Sequence, residues 1–227
     1  MRLRATHRWD LGTAQARALQ EELASRVCLE DFPGEPRTVT GVDVAYDRPR
    51  GLALAVAVTF AFPEMQELEE ARAEVPVTFP YIPGLLSFRE GPAVLAALER
   101  LRREPDLLIL DAQGIAHPRG IGLASHIGVV TGVPSIGAAK SRLVGEHAEP
   151  GRRRGAQAPL FLQGREVGRV VRTRQGVRPL YVSPGHRVSL ERAAELVLRC
   201  CTRYRLPEPT RQADLRLRAT PRGGSRK

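Results

Sequence analysis

Apolar runs of two periods, separated by turn residues, organise this chain. Thr13–Val27 sets Leu19, Leu23 and Val27 on one helical face with Ala16 at its edge, which predicts an amphipathic helix. Residues 28–37 carry Asp31, Pro33, Gly34 and Pro36 and read as a loop. Thr38–Tyr46 alternates and is rich in β-branched residues, whereas Leu52–Phe62 is apolar on both faces. The short DRPRG turn between them predicts an antiparallel hairpin. Met65–Val77 reads as a third, edge-like strand with its acids towards solvent. Pro80 and Pro83 stiffen the loop Phe79–Leu86, after which Ser87 opens a helix with Val94, Leu95, Leu98 and Leu101 inward.

The densest stretch is Leu107–Arg142. A strand over Asp106–Leu110 ends abruptly at Asp111, followed by a polar loop with Gly114, His117 and Gly120. A short helix over Leu123–Thr131, a short strand over Val133–Ile136 and a lone Lys140 complete it. Residues 145–158 read as a mobile Gly- and Arg-rich loop. Pro159–Val182 holds two or three strands, and Ser189–Tyr204 a helix with Cys201 inward. After Pro207 a short helix at most is expected. This order predicts a single mixed α/β (α+β) domain over residues 1–219 with a small β insertion. It lacks the strict βαβαβ repeat of a dinucleotide-binding fold. Residues 220–227 read as a basic, disordered tail.

Charge changes this picture. The net charge is +10, yet residues 1–150 hold 16 basic and 20 acidic side chains while 151–227 hold 19 basic and 5 acidic ones. A basic C-terminal third points to a polyanion, nucleic acid first, against the plainer reading of an arginine-rich solvated surface. Only Lys140 and Lys227 among the 35 basic residues are lysine, and a compact ammonium does a different job at a phosphate from a planar fork. Cys28, Cys200 and Cys201 form no zinc spacing and no disulfide framework, so a reducing compartment is expected. The N-terminus lacks a signal-peptide core, and the apolar runs are too short to span a bilayer. A cytoplasmic protein with no membrane association follows.

Four acids invite chemistry, each with a plain alternative. Asp43 lies inside a strand, where it must pair or bind a metal. Asp111 ends the central strand, where α/β sites collect, or simply starts a turn. Glu90 matches a capping box with Ser87 and also sits beside the proline-braced loop. Asp214 is either an exposed helix acid or a fourth ligand. Hard divalent cations take oxygen ligands. One or two of them, held by acids from different elements, can activate a water and stabilise the leaving oxygen of a phosphodiester. Lys140 then neutralises phosphate charge.

The motifs GVDVAYD, PYIPGLLSFREGP, DAQGIAHPRGIGLASHIGV and PEPTRQAD together resemble the endonuclease V (deoxyinosine 3′-endonuclease) family. The resemblance runs from Trp9 to Asp214 in the family's order. It implies an RNase H-like fold with a mixed five-stranded sheet and helices on both sides. It implies a DNA repair endonuclease that acts at deoxyinosine, cutting the second phosphodiester 3′ to it and leaving 3′-hydroxyl and 5′-phosphate ends. The implied cofactor is Mg²⁺, with Mn²⁺ able to substitute. Asp43, Glu90 and Asp111 correspond to the family's metal-binding acids, Asp214 to the position carrying Asp or His near them, and Lys140 to its catalytic lysine. Tyr81 matches the wedge that fills the gap left by an extruded base. Gly84, Leu86 and Gly122 match the pocket that reads the base through the backbone. His117 matches a loop histidine near the site and reads equally as a loop brace. Where the family has Gly after the central Asp, this chain has Ala112, which adds a methyl beside the pocket. The expected partner is inosine-containing DNA, bound by a monomer. The alternatives are inosine-containing RNA, branched DNA, or a silent binder of altered nucleic acid.

Overall fold

The hairpin expected from the alternating runs is present. In a computed structural model that describes residues 7–220, Thr38–Asp47 (β1) pairs antiparallel with Leu52–Ala61 (β2), placing Asp43 opposite Val56. Glu67–Pro76 (β3) adds to β2 as the edge strand, its acids mostly outward. On the other side of β1, Leu107–Leu110 (β4) and Ser135–Ala139 (β5) pair in parallel. Leu180–His186 (β8), Arg165–Val171 (β7) and Gln157–Leu162 (β6) then continue antiparallel.

Among the described residues the sheet therefore has eight strands, in the order β3-β2-β1-β4-β5-β8-β7-β6. The mixed α/β class holds, but the strand count exceeds five. The expected β insertion is not a separate unit: β8 pairs with β5, so the last three strands extend the main sheet. The register between β5 and β8 is a long-range pairing that local periodicity does not encode.

Helices cover both faces. Leu86–Glu99 (α2) and Leu123–Thr131 (α3) pack on Ala53, Ala55, Leu108 and Leu110, with Thr13–Ala24 (α1) outside them. Leu190–Cys200 (α4) covers Leu107, Ile109 and Ile136 on the opposite face. Glu208–Ala219 (α5) covers Val56 and Val58 beside it. Sealing of β4 by helices on both sides explains its unbroken LLIL run. Each such fully buried side chain contributes about 1.5–3 kcal/mol.

Two further expectations are corrected. The C-terminal segment holds a full helix, α5, in place of the short one expected, because Ala213 and Leu217 dock on β2. Gly41 makes that docking geometric: a Cβ there would lie 2.2 Å from the Pro209 carbonyl carbon. The Ser87–Glu90 capping box does not form. The helix begins at Leu86 without a side-chain cap, so Ser87 is buried within it and Glu90 falls beyond the first turn. The tail beyond Thr220 lies outside the described residues. No helix among the described residues is long and apolar enough to cross a membrane.

Candidate active site

Three neighbouring parallel strands deliver polar side chains to one rim. Val42 of β1 pairs with Leu110 of β4, so Asp43 and Asp111 each follow a paired position on adjacent strands. Leu110 in turn pairs with Gly137 of β5, whose exit carries Lys140. Lys140 Nζ forms an ion pair with Asp111 Oδ2. Glu90 reaches the rim from α2, and Asp214 from α5 on the opposite face. Charge coupling links Asp43 to Asp111, Lys140 and Asp214, and links Glu90 to Asp43 and Asp111. The fold thus gathers all five polar residues singled out in the sequence.

The electrostatics of the rim are unbalanced. Burial, reinforced by Asp111, pushes the Asp43 carboxyl up to about 6. Burial pushes Glu90 up to about 7, although the Tyr46 hydroxyl donates to its Oε1 at 2.9 Å. Lys140 is raised against the opposing effect of burial, chiefly by its bond to Asp111. Asp214 is held by Arg218 at 2.9 Å.

As the side chains stand, no three His, Cys, Asp or Glu groups among the described residues converge tightly enough to enclose an ion. Asp111, Glu90 and Asp214 are each turned to a protein partner instead. The donor set nevertheless fits a hard cation. All four groups are carboxylates, and Asp43 and Glu90, raised first by burial and further by neighbouring acids, are groups whose ionised form a divalent ion would stabilise.

Beside the rim lies a cavity of about 110 Å³ lined by Tyr81, Gly84, Leu86, Ala112, His117 and Gly122, among others. All the expected base-pocket residues, the wedge candidate and the loop histidine therefore border one space. Gly122 is required there, since a Cβ would lie 2.3 Å from Gln113 O. Gly122 also caps α3, and its carbonyl accepts from His126 N–H at 2.9 Å. Tyr81 is 70% exposed, a ring at the mouth of the cavity that the fold leaves largely uncovered. His117 braces the loop. Its Nε2–H donates to Gly84 O at 3.0 Å, and its Nδ1 accepts from Arg119 N–H. Burial and Arg119 push it down to about 4, so the ring is neutral at ordinary pH. Arg119 also donates to Gly84 O, at 2.6 Å.

Sequence reasoning passed over Tyr46, Gln113, Arg119 and Arg205. Tyr46 stood within a quoted motif, but nothing local marks it as the partner of Glu90. Gln113 lines the cavity and donates to Ser141 O at 2.9 Å, while Arg205 donates to Lys140 O at 2.9 Å. Their acceptors are main-chain carbonyls, which carry no sequence signal.

The chain is similar to known proteins over most of its length. Residues 21–215 match the endonuclease V family model. Endonuclease V from Roseiflexus sp. (strain RS-1) is 55% identical over 206 residues, covering 91% of this chain and 92% of that one. The crystal structure of endonuclease V from Streptomyces avermitilis superposes with a TM-score of 0.89 at 47% identity, covering 93% of each chain. Endonuclease V from Ciona intestinalis, solved with a 24mer DNA containing an inosine followed by a ribo-adenosine, gives 0.79 at 28% identity over 91% of this chain and 96% of that one. With the acids of four elements at one rim and a base-sized cavity beside it, the chain belongs to the endonuclease V family and is an endonuclease.

Proposed function

We propose that this endonuclease recognises deoxyinosine in DNA and hydrolyses the second phosphodiester 3′ to it, leaving 3′-hydroxyl and 5′-phosphate ends, with Mg²⁺ as its ion and Mn²⁺ able to substitute. The observation that carries the reading is the continuity of rim and pocket. Asp111 pairs with Lys140 and couples to Asp43 and Glu90 at the rim, and the next two residues, Ala112 and Gln113, line the cavity. A site that reads a flipped base and cuts nearby needs that adjacency. The Ciona intestinalis relative in complex with inosine-containing DNA supports the choice of base.

In this reading Asp43, Glu90 and Asp111 hold the ion, with Asp214 beside them. A bound divalent cation supplies Lewis acidity and lets a water act as nucleophile near neutral pH. The chain's own groups do the rest. Lys140 leaves Asp111 for the phosphate, where its ammonium offsets charge that grows in the transition state. Tyr46 keeps Glu90 oriented and biases it towards the ionised form. Tyr81 stacks in the space vacated by the base, while Gly84, Leu86 and Gly122 present backbone to the base itself. Neutral His117 holds the Gly84 carbonyl in place. Arginines of the C-terminal third bind phosphates without reading sequence. The same reading takes the acting form to be a monomer.

The test is cleavage of matched end-labelled strands carrying adenine, inosine, uracil or an abasic site. The expected result is a cut at the second phosphodiester of the inosine strand alone. An inosine strand cut no faster than the adenine strand overturns the reading. A second reading, inosine in RNA, is favoured by one observation: the relative's DNA carries a ribo-adenosine after the inosine. All-DNA and all-RNA strands with one inosine separate the two.

A further inference from the structure

Lys140 is the first residue beyond β5, and its side chain is 38% exposed. A four-carbon stem does not aim itself, so its direction depends on the peptide that carries it. That peptide is gripped from two sides. Arg205, on the link between α4 and α5, uses Nη2 to donate to Lys140 O and to Pro179 O, each at 2.9 Å. From the pocket side, Gln113 Nε2 donates to Ser141 O at 2.9 Å. The Arg205 backbone is itself anchored: its carbonyl accepts from Thr173 Oγ1 at 2.6 Å.

We propose that Arg205 and Gln113 are positioning residues that fix Lys140 at the cleavage site by holding the successive carbonyls of residues 140 and 141. The inference deepens the reading above and rests on it. Gln113 also lines the base cavity, so one residue borders the base and restrains the lysine. Occupation of the pocket and placement of the ammonium are thereby joined. Both bonds leave one nitrogen, Nη2, at the far end of a long planar group, so a lysine there loses the reach and the fixed direction of the two N–H groups.

The protein itself supplies an uncommon probe. It has two lysines, Lys140 and Lys227, so ¹³C-lysine labelling yields two side-chain signals. In the wild type the Lys140 ε-carbon is expected to resonate apart from Lys227. Arg205→Ala should move it towards Lys227, lower kcat on an inosine strand roughly tenfold and leave KM within about twofold. Millimolar guanidinium should restore part of that kcat, and Arg205→Lys should recover less than half of it. Gln113→Glu, which removes the donor at nearly constant shape, should lower kcat and the ratio of inosine to adenine cleavage together. The proposal is overturned if folded variants keep the wild-type kcat, lose activity through KM alone, or leave the Lys140 signal in place. Should Arg205→Ala fail to fold, Arg205→Lys and Gln113→Glu carry the same readouts. If the wild type does not cut inosine strands, the functional reading fails, while the Lys140 signal still decides the clamp.

Discussion

Tyr46 and Glu90 are joined by a 2.9 Å hydrogen bond from the phenol to Oε1, which ties the end of β1 to α2. Burial raises Glu90 to about 7, and the Tyr46 bond opposes that rise. Tyr46→Phe removes the opposition. At limiting Mg²⁺, where proton and ion compete for Glu90, the acid limb of activity against pH should then move up by about one unit, as a hydrogen bond to a charged group of about 1.5 kcal/mol implies. Activity should fall several-fold near about pH 6.5 and little near about pH 9. An unmoved acid limb would leave the phenol as packing only.

Glu90 also makes a stability prediction. Its carboxyl is raised from 4.5 to about 7 on folding, so the stability tied to the protonated form is full below 4.5 and is lost as pH rises through 7. Asp43, raised to about 6, acts in the same direction. In chelator, Glu90→Gln should be more stable than wild type by about 2 kcal/mol above neutrality and equal to it in acid. Added Mg²⁺ should stabilise the wild type more than the variant. Urea unfolding at both pH values, with and without metal, reads both effects.

Tyr81 contributes little to the fold, being 70% exposed. Tyr81→Ala should leave the melting temperature nearly unchanged. If the ring stacks on bases, affinity for an inosine strand should drop by about 1–3 kcal/mol, or roughly five- to 150-fold. Wild-type affinity in the variant would remove the wedge from the account.

Ala112 is 6% exposed and borders the cavity, so its methyl occupies space that a glycine would leave to the base. Ala112→Gly should relax selection. Cleavage at xanthine, which carries an extra oxygen, should rise relative to hypoxanthine by up to about tenfold, the scale of one methyl in a tight pocket. A ratio that stays constant would show that the methyl faces away from the bound base.

Much of this was legible because local pattern and tertiary need agreed. The β1–β2 hairpin is written in alternation and a short turn, and α3 begins and ends where its glycines stand. Asp43, Asp111 and Lys140 could be singled out because charge inside an apolar strand, or just past its end, is conspicuous. The rest depended on distant partners. Ser87 looked like a cap until burial placed it inside α2, and α5 looked minor because its anchor, Gly41, lies far away in sequence. The extension of the sheet through β8 required a pairing across more than forty residues, from Ser135 to His186. Gln113 and Arg205 act on peptide carbonyls, which every residue has.

The adjacency of Asp111, Ala112 and Gln113 has a metrical consequence. The interval between the base that is read and the bond that is cut is spanned by consecutive peptide units, and α-carbons across such units keep a separation of about 3.8 Å. A loop hinge would let that interval drift from one turnover to the next. A covalent ruler does not, so the offset of the cut from the lesion should stay constant across flanking sequences, even where the rate varies widely.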